Sequence, residues 1–450
     1  MMCVFTATAA KAQLAITNAS CDSIGNLAFG WAGATGKVII EKSVSLSTGN
    51  FQCVSDVFSI NQASVTNDSA TAFYRVREVM AVNIPDSNLW TQIYLAVTNM
   101  WGKKFAPLDE IYDFEVEGIT NLFSPSASIS NSTGIEALVS LGSIDLSHNN
   151  FETLNLSSFP FLSALDLDFS GNLKHLVCTN NQLKILELYN CVLTNLNCSW
   201  NQLSDVPFFG GSTSLITMDI SHNNFSTFIL NANLQNLQCL NCSYNQLSAL
   251  TVPPGPLRIL DCSGNGQLTD LNGSNNSLTY LNVAGCGALT NVDCSSNRLS
   301  NLDFSSNVAL RQLVVANNLL TNLHLSGASL RYLDCSRNRL PMLDLSACHP
   351  AIMNCATNRL KDIVITGPVR SVDLSWNLLT NADVSACLAI TNLNLSHNLV
   401  SDLSLLVSNA ARGGLGAGDV IYLQGNPLNS YAQTIQIPYL TNQGVTVYYP

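Results

Sequence analysis

The amino-acid sequence predicts a mainly β solenoid, and three observations lead to this prediction. A short frame, L-x-L-x-x-N-x-L, recurs between residues 141 and 406 with a full period of 19 to 22 residues. Weaker copies lie 9 to 12 residues from the strong ones, so no helix fits between successive strands. The composition is 47% hydrophobic and only 11% charged over 450 residues. Because the average soluble domain carries roughly 25% charged residues, this chain has an uncommonly apolar surface that is rich in hydroxyls and amides.

The asparagine of the frame marks each coil of the predicted solenoid. It follows a short strand in a turn, where its amide can bond main-chain groups that the bend leaves unpaired. One unit buries about five apolar side chains worth roughly 1.5–3 kcal/mol each, while ordering its backbone costs on the order of 20–40 kcal/mol. Units must therefore stack and share a core. The predicted structural ladder is Asn149, Asn181, Asn201, Asn223, Asn245, Asn297, Asn318, Asn338, Asn358, Asn377 and Asn398.

The ladder has one irregularity. The strong asparagines stop at Asn245 and resume at Asn297, a gap of 52 residues, or about two and a half units. Half-units around Leu260, Leu271 and Leu281 change phase within this gap. We therefore expect a local break in curvature or in face near residues 255–290.

The chain has 15 cysteines, most of them inside the repeat. Seven take the inward position of L-x-C and four take the ladder position, where a small hydrophobic residue fits. Core packing is the expectation, and a disulfide between stacked neighbours such as Cys178 and Cys198 is the alternative, with poor geometry because the side chains run parallel. No metal site is expected, since only Cys239 and Cys242 have C-x-x-C spacing and a strand points them to opposite faces.

The repeat frame, with its N/C alternative at the ladder position, resembles that of leucine-rich repeat proteins. This resemblance implies a horseshoe of short 19–22-residue repeats with an extended or 3₁₀ convex side. The "IPDSNL" segment at residues 84–89 resembles the helical N-terminal cap of internalin-like bacterial proteins. The helix is expected to be amphipathic, with an Asp or Ser cap and an apolar pattern formed by Ile93, Leu95, Ala96 and Met100.

Both flanks of the repeat carry further expectations. Alternating apolar residues before the cap resemble a fibronectin type III-like module of secreted bacterial proteins, in which Cys21 and Cys53 could pair. Residues 10–12, Ala-Lys-Ala, resemble the end of a secretory signal, with an ordinary first strand as the alternative. Asn426-Pro427-Leu428 resembles a C-terminal cap, with a short helix from Asn429 or Ser430 and a final strand at 444–447. The expected domains are a signal remnant (1–13), a small β-sandwich (14–82), an N-terminal cap with a helix (83–140), repeats (141–407) and a C-terminal cap (408–450).

The position just before the ladder asparagine supplies the candidate binding surface. Placed on the exposed concave sheet, these side chains would form a column about 4.8 Å apart, and exposed Trp, Tyr, His and Arg are common interface anchors. The Asp and Asn side chains at the x of L-x-L form a second column, interpreted as hydrogen-bonded consensus, with weak cation binding as the alternative. The candidate ligand-binding residues are Trp200, His222, Tyr244, Arg337, Trp376 and His397.

These features predict a non-enzymatic, exported repeat protein, secreted or at the cell surface, that binds a macromolecule, most simply a protein. We find no catalytic motif and expect no cofactor. The net charge of −11 argues against nucleic acid, and no run of about 18 apolar residues predicts a transmembrane segment. Two alternatives remain open: a structural, envelope-associated protein that self-associates through its repeats, and a carbohydrate-binding surface formed by the aromatic column.

Overall fold

A computed structural model describes residues 80–102, 110–205, 214–230, 234–325, 327 and 330–449, together with the backbone of seven strands between residues 4 and 79. The chain divides into two compact units, Met1–Leu173 with Asn181–Leu188, and Lys174–Asn180 with Tyr189–Pro450. Within the described ranges, no helix combines the length and the apolar character needed to cross a bilayer.

The N-terminal β-module of the first unit has seven strands: β1 (Val4–Thr8), β2 (Ala15–Cys21), β3 (Asn26–Ala32), β4 (Lys37–Ser43), β5 (Gln52–Cys53), β6 (Gln62–Thr66) and β7 (Phe73–Val79). They pair in two sheets, in the orders β1-β7-β4-β5 and β2-β3-β6. Strand β1 pairs in parallel with β7, so the segment expected to be a signal remnant contains a strand of the module. The side chains of Cys21 and Cys53 lie outside the described part, and their pairing stays a prediction, as does the fibronectin likeness.

The predicted cap helix is present as α1 (Ser87–Trp101). Asp86 Oδ1 accepts the backbone N–H groups of Asn88 and Leu89, each at 3.0 Å, which confirms the Asp cap. The predicted apolar pattern is partly wrong, because Leu95 and Met100 are exposed. A four-residue spacing sets the buried face instead. The side chains that α1 buries are Leu89, Ile93 and Val97.

The residues that follow β7 form backbone hydrogen bonds with the residues at the start of helix α2 (Asp113–Val116). The Val82 N–H donates to Ile111 O at 2.7 Å, and the Asp113 N–H donates to Met80 O at 2.9 Å. A buried apolar cluster lies behind these bonds and joins β4 and β7 to α2. Its members are Ile39, Val79, Tyr112 and Phe114.

The repeats of the first unit form a parallel sheet, named here sheet 1, in the order β13-β11-β9-β8. A 3₁₀ turn, Ile135–Ala137, precedes β9. Leu165 in β11 pairs with Ile144 on one side and Leu186 on the other, and all three are buried. The strands of this unit's repeats are β8 (Asn121–Phe123), β9 (Ser143–Asp145), β10 (Thr153–Asn155), β11 (Ala164–Asp166) and β13 (Ile185–Glu187).

The second unit contains the remaining strands, each three residues long. The first eleven are β12 (His175–Val177), β14 (Asn195–Asn197), β15 (Thr217–Asp219), β16 (Cys239–Asn241), β17 (Ala249–Thr251), β18 (Ile259–Asp261), β19 (Asp270–Asn272), β20 (Tyr280–Asn282), β21 (Asn291–Asp293), β22 (Asn301–Asp303) and β23 (Gln312–Val314). The last nine are β24 (Asn322–His324), β25 (Tyr332–Asp334), β26 (Met342–Asp344), β27 (Ile352–Asn354), β28 (Asp362–Val364), β29 (Ser371–Asp373), β30 (Asn392–Asn394), β31 (Val420–Tyr422) and β32 (Thr446–Tyr448).

These strands build two parallel sheets rather than one. Sheet 2 contains β12-β14-β15-β16-β18-β20, and sheet 3 contains β17-β19-β21-β23-β25-β27-β29-β30-β31-β32. Two further pairs, β22 with β24 and β26 with β28, follow the same parallel pattern. From β16 to β21 consecutive strands alternate between the two sheets, so each coil gives one strand to each. The second side of these coils is therefore extended, as expected, and its strands pair into a sheet of their own.

The predicted phase change is a transfer of the asparagine ladder between these two sheets. Asn245 and Asn265 follow strands of sheet 2, whereas Asn276, half a coil later, follows β19 of sheet 3. From Asn297 onward the ladder stays on sheet 3. Asn265 and Asn276 were missed at the level of sequence because the frame around them is interrupted by glycines and prolines.

Each ladder asparagine ties its coil to the preceding one. Asn245 Nδ2 donates to the carbonyls of Ile220 at 3.0 Å, Cys242 at 3.1 Å and Ser243 at 3.2 Å, and its Oδ1 accepts the Phe225 N–H at 3.0 Å. The side chain thus pairs backbone groups that the turn would otherwise leave buried without partners. These four hydrogen bonds link the turn after β16 to the preceding coil.

The cysteines of the repeat pack as core residues. All twelve cysteines among the described residues are free, and eleven are buried. At the ladder position a thiol replaces one of the asparagine bonds: Cys286 Sγ donates to Cys262 O at 3.2 Å, as Asn265 Nδ2 does to Cys242 O one coil earlier. The thiols of Cys335 and Cys355 stack closely, at 3.3 Å between sulfurs without a covalent bond.

The C-terminal segment follows the predicted cap with one addition. Asn426 Oδ1 accepts the Val400 N–H at 3.0 Å and forms the last rung of the ladder. Asn429 Oδ1 accepts the Ala432 N–H at 2.7 Å at the start of a π-helical segment, Ala432–Gln436, which continues into α4 (Ile437–Asn442). Helix α3 (Ser404–Ala411) was not predicted. It fits because β30 and β31 lie farther apart in sequence than the neighbouring strands before them in sheet 3.

Candidate interaction surface

The candidate residues lie in turns at the end of strands, not on the strands themselves. Trp200, His222 and Tyr244 have φ values of 57°, 53° and 52°, in the left-handed region that bulky residues rarely adopt. The turn needs this conformation because the next residue, the ladder asparagine, must point back into the core. Their placement on the exposed face of a strand is therefore wrong, and they line one edge of sheet 2 instead.

Three of the candidates form a continuous stack of rings. The Trp200 and His222 ring centroids are 3.7 Å apart and those of His222 and Tyr244 are 4.4 Å apart, with interplanar angles of 10° and 9°. Trp200 and Tyr244 remain 55% and 56% exposed. Because both faces of the His222 ring are covered by its neighbours, the stack presents ring edges to solvent.

The other three candidates lie along the edge of sheet 3. Trp376 and His397 stack with centroids 3.9 Å apart, and Arg337 occupies the same turn position two coils earlier. The six predicted residues therefore form two groups on two sheets instead of one column. The transfer of the ladder between sheets separates them, because the turn position moves with the asparagine.

A third stack was missed by the sequence reasoning. In the first unit the rings of His148 and Phe169 lie 4.6 Å apart with an interplanar angle of 7°. Phe169 adopts the same positive φ of 57°, but Ser170 follows it where the frame expects asparagine. The available signal was the D-x-x-x-S/N spacing, which Asp166 and Ser170 share with Asp145 and Asn149.

The exposed face of sheet 2 forms a shallow groove of about 430 Å³. The first residue of each strand lines it, and this position was not singled out from the sequence. The signal was simple, because this residue immediately precedes the buried leucine of L-x-L. The row is His175, Asn195, Thr217, Cys239 and Ile259.

The Asp and Asn column forms local hydrogen bonds. Asp261 Oδ1, for example, accepts the N–H of Ser263 at 2.9 Å and its hydroxyl at 2.6 Å. The same bond from Ser305 holds the pKa of the Asp303 carboxyl below its usual range. These carboxylates therefore stabilise the turn that carries the candidate residues. Among the described residues, no group of three or more His, Cys, Asp or Glu side chains is arranged to hold a metal ion.

Sheet 1 carries a separate row of carboxylates, Asp145, Asp166 and Glu187, on three neighbouring strands. Burial and the nearby charge of Asp145 raise the pKa of Asp166, and burial and the charge of Asp168 raise that of Glu187. The row is thus an acidic patch on the first unit.

Comparisons with solved structures give likenesses of low identity. The functional domain of InlJ from Listeria monocytogenes, which includes a cysteine ladder, is 22% identical over 77% of this chain and 82% of that one, with a TM-score of 0.23. The leucine-rich effector YopM from Yersinia pestis is 22% identical over 58% and 73%, with a TM-score of 0.30. The internalin InlF from Listeria monocytogenes is 18% identical over 73% and 94%, with a TM-score of 0.25.

No protein-family model and no curated protein matches the chain. The fold class therefore rests on the coils themselves: a repeat of roughly 21 residues, a buried leucine in each strand and an asparagine ladder. By these features the chain is a leucine-rich repeat solenoid.

Proposed function

We propose that this chain is a non-enzymatic scaffold that binds a protein partner through the exposed face of sheet 2 and the ring stack of Trp200, His222 and Tyr244. The observation that supports the proposal is the use of large rings at a turn position where glycine or asparagine costs least. A bulky residue in the left-handed region costs roughly 1–2 kcal/mol, and ring stacking returns only about 0.5–1.5 kcal/mol. Stacking within the folded chain therefore does little more than offset the cost of this turn conformation. Contact between the rings and a binding partner would give a reason to place them there.

The ring geometry favours a protein over a carbohydrate. Sugars stack on free ring faces, but the faces within this stack are covered by neighbouring rings at 3.7 and 4.4 Å. The exposed edges instead offer the indole N–H, imidazole nitrogens and phenol hydroxyl as hydrogen-bonding groups. The groove beside the stack adds amide and hydroxyl side chains, which suits the mixed polar and apolar surface of a protein.

Export, to the medium or the cell surface, is part of the same proposal. It is supported by the alternating β-module before the repeats, which resembles modules of secreted bacterial proteins and for which we propose the role of a spacer. Fractionation of the native cells tests it, and recovery in the cytosol alone would contradict it.

The binding proposal is tested with Trp200→Asn/Tyr244→Asn, since asparagine suits the left-handed turn. The readout is the capture of partners from the native environment, quantified against the wild type. Tyr431→Ser is the control, because Tyr431 is 57% exposed in the C-terminal helical segment. The proposal predicts that only the double variant loses its partner. If size-exclusion shows that the wild type self-associates and the double variant does not, the self-association alternative replaces it.

A further inference from the structure

The positive charge of this acidic chain is concentrated in one part of the repeat. Residues 298–370 hold eight Lys and Arg side chains and four carboxylates, a net charge of +4 in a chain of net charge −11. This stretch lies within the second unit and includes β23, β25 and β27, all in sheet 3. The local charge is thus opposite in sign to that of the whole molecule.

Three of these cations form a row along one edge of sheet 3. Arg311, Arg331 and Arg370 each occupy the residue just before a strand, and Ala351 holds that position in the one intervening coil. The Arg331 N–H donates to Arg311 O at 2.7 Å, and the Arg370 N–H donates to Ala351 O at 2.8 Å. These bonds keep the backbone positions one coil apart, about 4.8 Å.

The three guanidinium groups of the row form no ion pair within the described part of the chain. All three arginines are exposed, and the ion pairs found among the described residues involve Lys37 and Arg77 only. Arg311 and Arg331 lie on adjacent coils, so their like charges repel each other in the free protein. Arg337 adds a further cation at the opposite end of β25.

The side chains beside the row indicate what kind of anion fits. Asp334 and Asp373 lie on the same strands, two residues beyond the first strand position, and would repel a continuous phosphate backbone. Tyr332 and Ile352 occupy first strand positions next to the arginines, and Ile352 is 48% exposed. A polypeptide can place separate carboxylates on the arginines and apolar side chains on this pair, whereas a nucleic acid carries charge at every residue.

We propose that sheet 3, between β23 and β29, binds an acidic polypeptide segment through Arg311, Arg331 and Arg370. This surface is distinct from the ring stack on sheet 2 and deepens the proposed scaffold function by giving the chemistry of one partner. The carboxylates of the segment relieve the repulsion along the row, and the surrounding negative charge of the chain disfavours acidic molecules elsewhere. Charge complementarity of this kind raises both the association rate and the selectivity.

The test is the triple variant Arg311→Gln/Arg331→Gln/Arg370→Gln. Its matched control is Arg298→Gln/Arg339→Gln/Arg359→Gln, which removes the same charge from exposed arginines that follow the ladder asparagines beyond the sheet. The probe is a labelled synthetic peptide of alternating Glu and Leu, followed by fluorescence anisotropy at low and at physiological salt. Circular dichroism establishes that both variants are folded.

The proposal predicts that the wild type and the control variant bind the peptide alike. The triple variant binds it about tenfold more weakly, and the wild-type affinity falls as salt is added. An equal loss of peptide affinity in the control variant would overturn the proposal, since the net charge of the protein would then be sufficient to explain the binding. Tighter binding of a single-stranded DNA oligonucleotide through the same arginines would also overturn it, as would salt-sensitive self-association of the protein through them. None of these results affects the test of Trp200 and Tyr244.

Discussion

The ring of Tyr244 lies directly over Gly264, the residue at the same turn position of the next coil. A Cβ atom on Gly264 would approach Tyr244 Cδ1 to 2.7 Å, and Gly264 itself has a φ of +71°. His397 and Gly425 repeat the relationship on sheet 3, where a Cβ atom would lie 2.6 Å from the imidazole Nδ1. The ring columns of sheet 2 and sheet 3 therefore each end on a glycine that leaves space for the last ring.

Gly264→Ala should displace Tyr244 and lower the free energy of unfolding by about 1–3 kcal/mol, since it adds left-handed strain and a contact that only movement can relieve. Gly418→Ala is the control, because Gly418 has a φ of +91° but a Cβ atom added there would meet nothing within 4 Å. This control should lose only the free energy of unfolding that the left-handed backbone strain costs. The measurement is urea unfolding together with the ring-current shift of His222 by NMR. An unchanged His222 shift in Gly264→Ala would contradict the prediction.

Trp200→Asn should leave stability within about 1 kcal/mol of the wild type in either direction. The exposed ring loses its stacking on His222, but asparagine relieves strain at a φ of 57°. Thermal and urea unfolding check this, with Leu196→Ala as the contrast, since Leu196 is buried in the same coil. A buried leucine should cost about 2–5 kcal/mol. If Trp200→Asn costs as much as Leu196→Ala, the ring has a structural role.

Asn245→Ala should destabilise the protein by about 2–4 kcal/mol, because it leaves the Phe225 N–H and several buried carbonyls without partners. Asn276 offers an internal comparison. Its Oδ1 has no hydrogen-bond partner, and its Nδ2 bonds to Pro253, Gly273 and Ser274 carbonyls are 3.1–3.4 Å long. Asn276→Ala should therefore lower the free energy of unfolding by at least about 1 kcal/mol less than Asn245→Ala does, as measured by urea unfolding. Equal losses would mean that the Oδ1 bond contributes nothing measurable.

Alkaline pH should weaken the core. Burial raises the pKa of the Cys178 thiol to about 12 and raises that of Cys198 well above its usual value. A pKa that is higher in the folded state gives stability that is complete below about pH 8.5 and falls as the pH rises toward the folded value. Between pH 7 and pH 10 the wild type should lose about 2–4 kcal/mol more free energy of unfolding than Cys178→Ala/Cys198→Ala.

Urea unfolding at the two pH values measures this difference. Cys239→Ala is the control, because Cys239 is only partly buried. It should keep the wild-type pH dependence. A double variant that loses as much stability in alkali as the wild type would show that these thiols are not the titrating groups.

The sequence predicted the repeating strands and the cap helix α1, and it missed helix α3 and the left-handed turns. The ladder role of Asn245 and the burial of Cys178 follow from period-2 strands and could be read directly from spacing. The left-handed turn at Trp200 could not, because the strand ends three residues earlier, at Asn197, and spacing alone does not show that end. Only the requirement that the ladder asparagine point inward reveals the turn.

The division of the candidate residues between two sheets was also hidden in the sequence. The frame looks identical whichever sheet its strand joins, so Tyr244 and Trp376 seemed equivalent. Only strand pairing shows that Asn265 and Asn276 lie on opposite sides of the transfer. The arginine row was missed for a different reason, since the residue before each strand has no fixed type in the repeat frame and no pattern marks it.

The half-coil between Asn265 and Asn276 moves the ladder to the other sheet. The sheet on which a later residue lies therefore depends on whether the number of half-coils before it is odd or even. Excising one full coil of about 21 residues upstream would leave Arg311, Trp376 and every later side chain on the sheet that holds it now. Excising a half-coil of the size that separates these two asparagines would exchange the two sides for everything that follows, with the same buried leucines still in place. Lengthening or shortening such a repeat in half steps can therefore turn a surface over without redesigning its core.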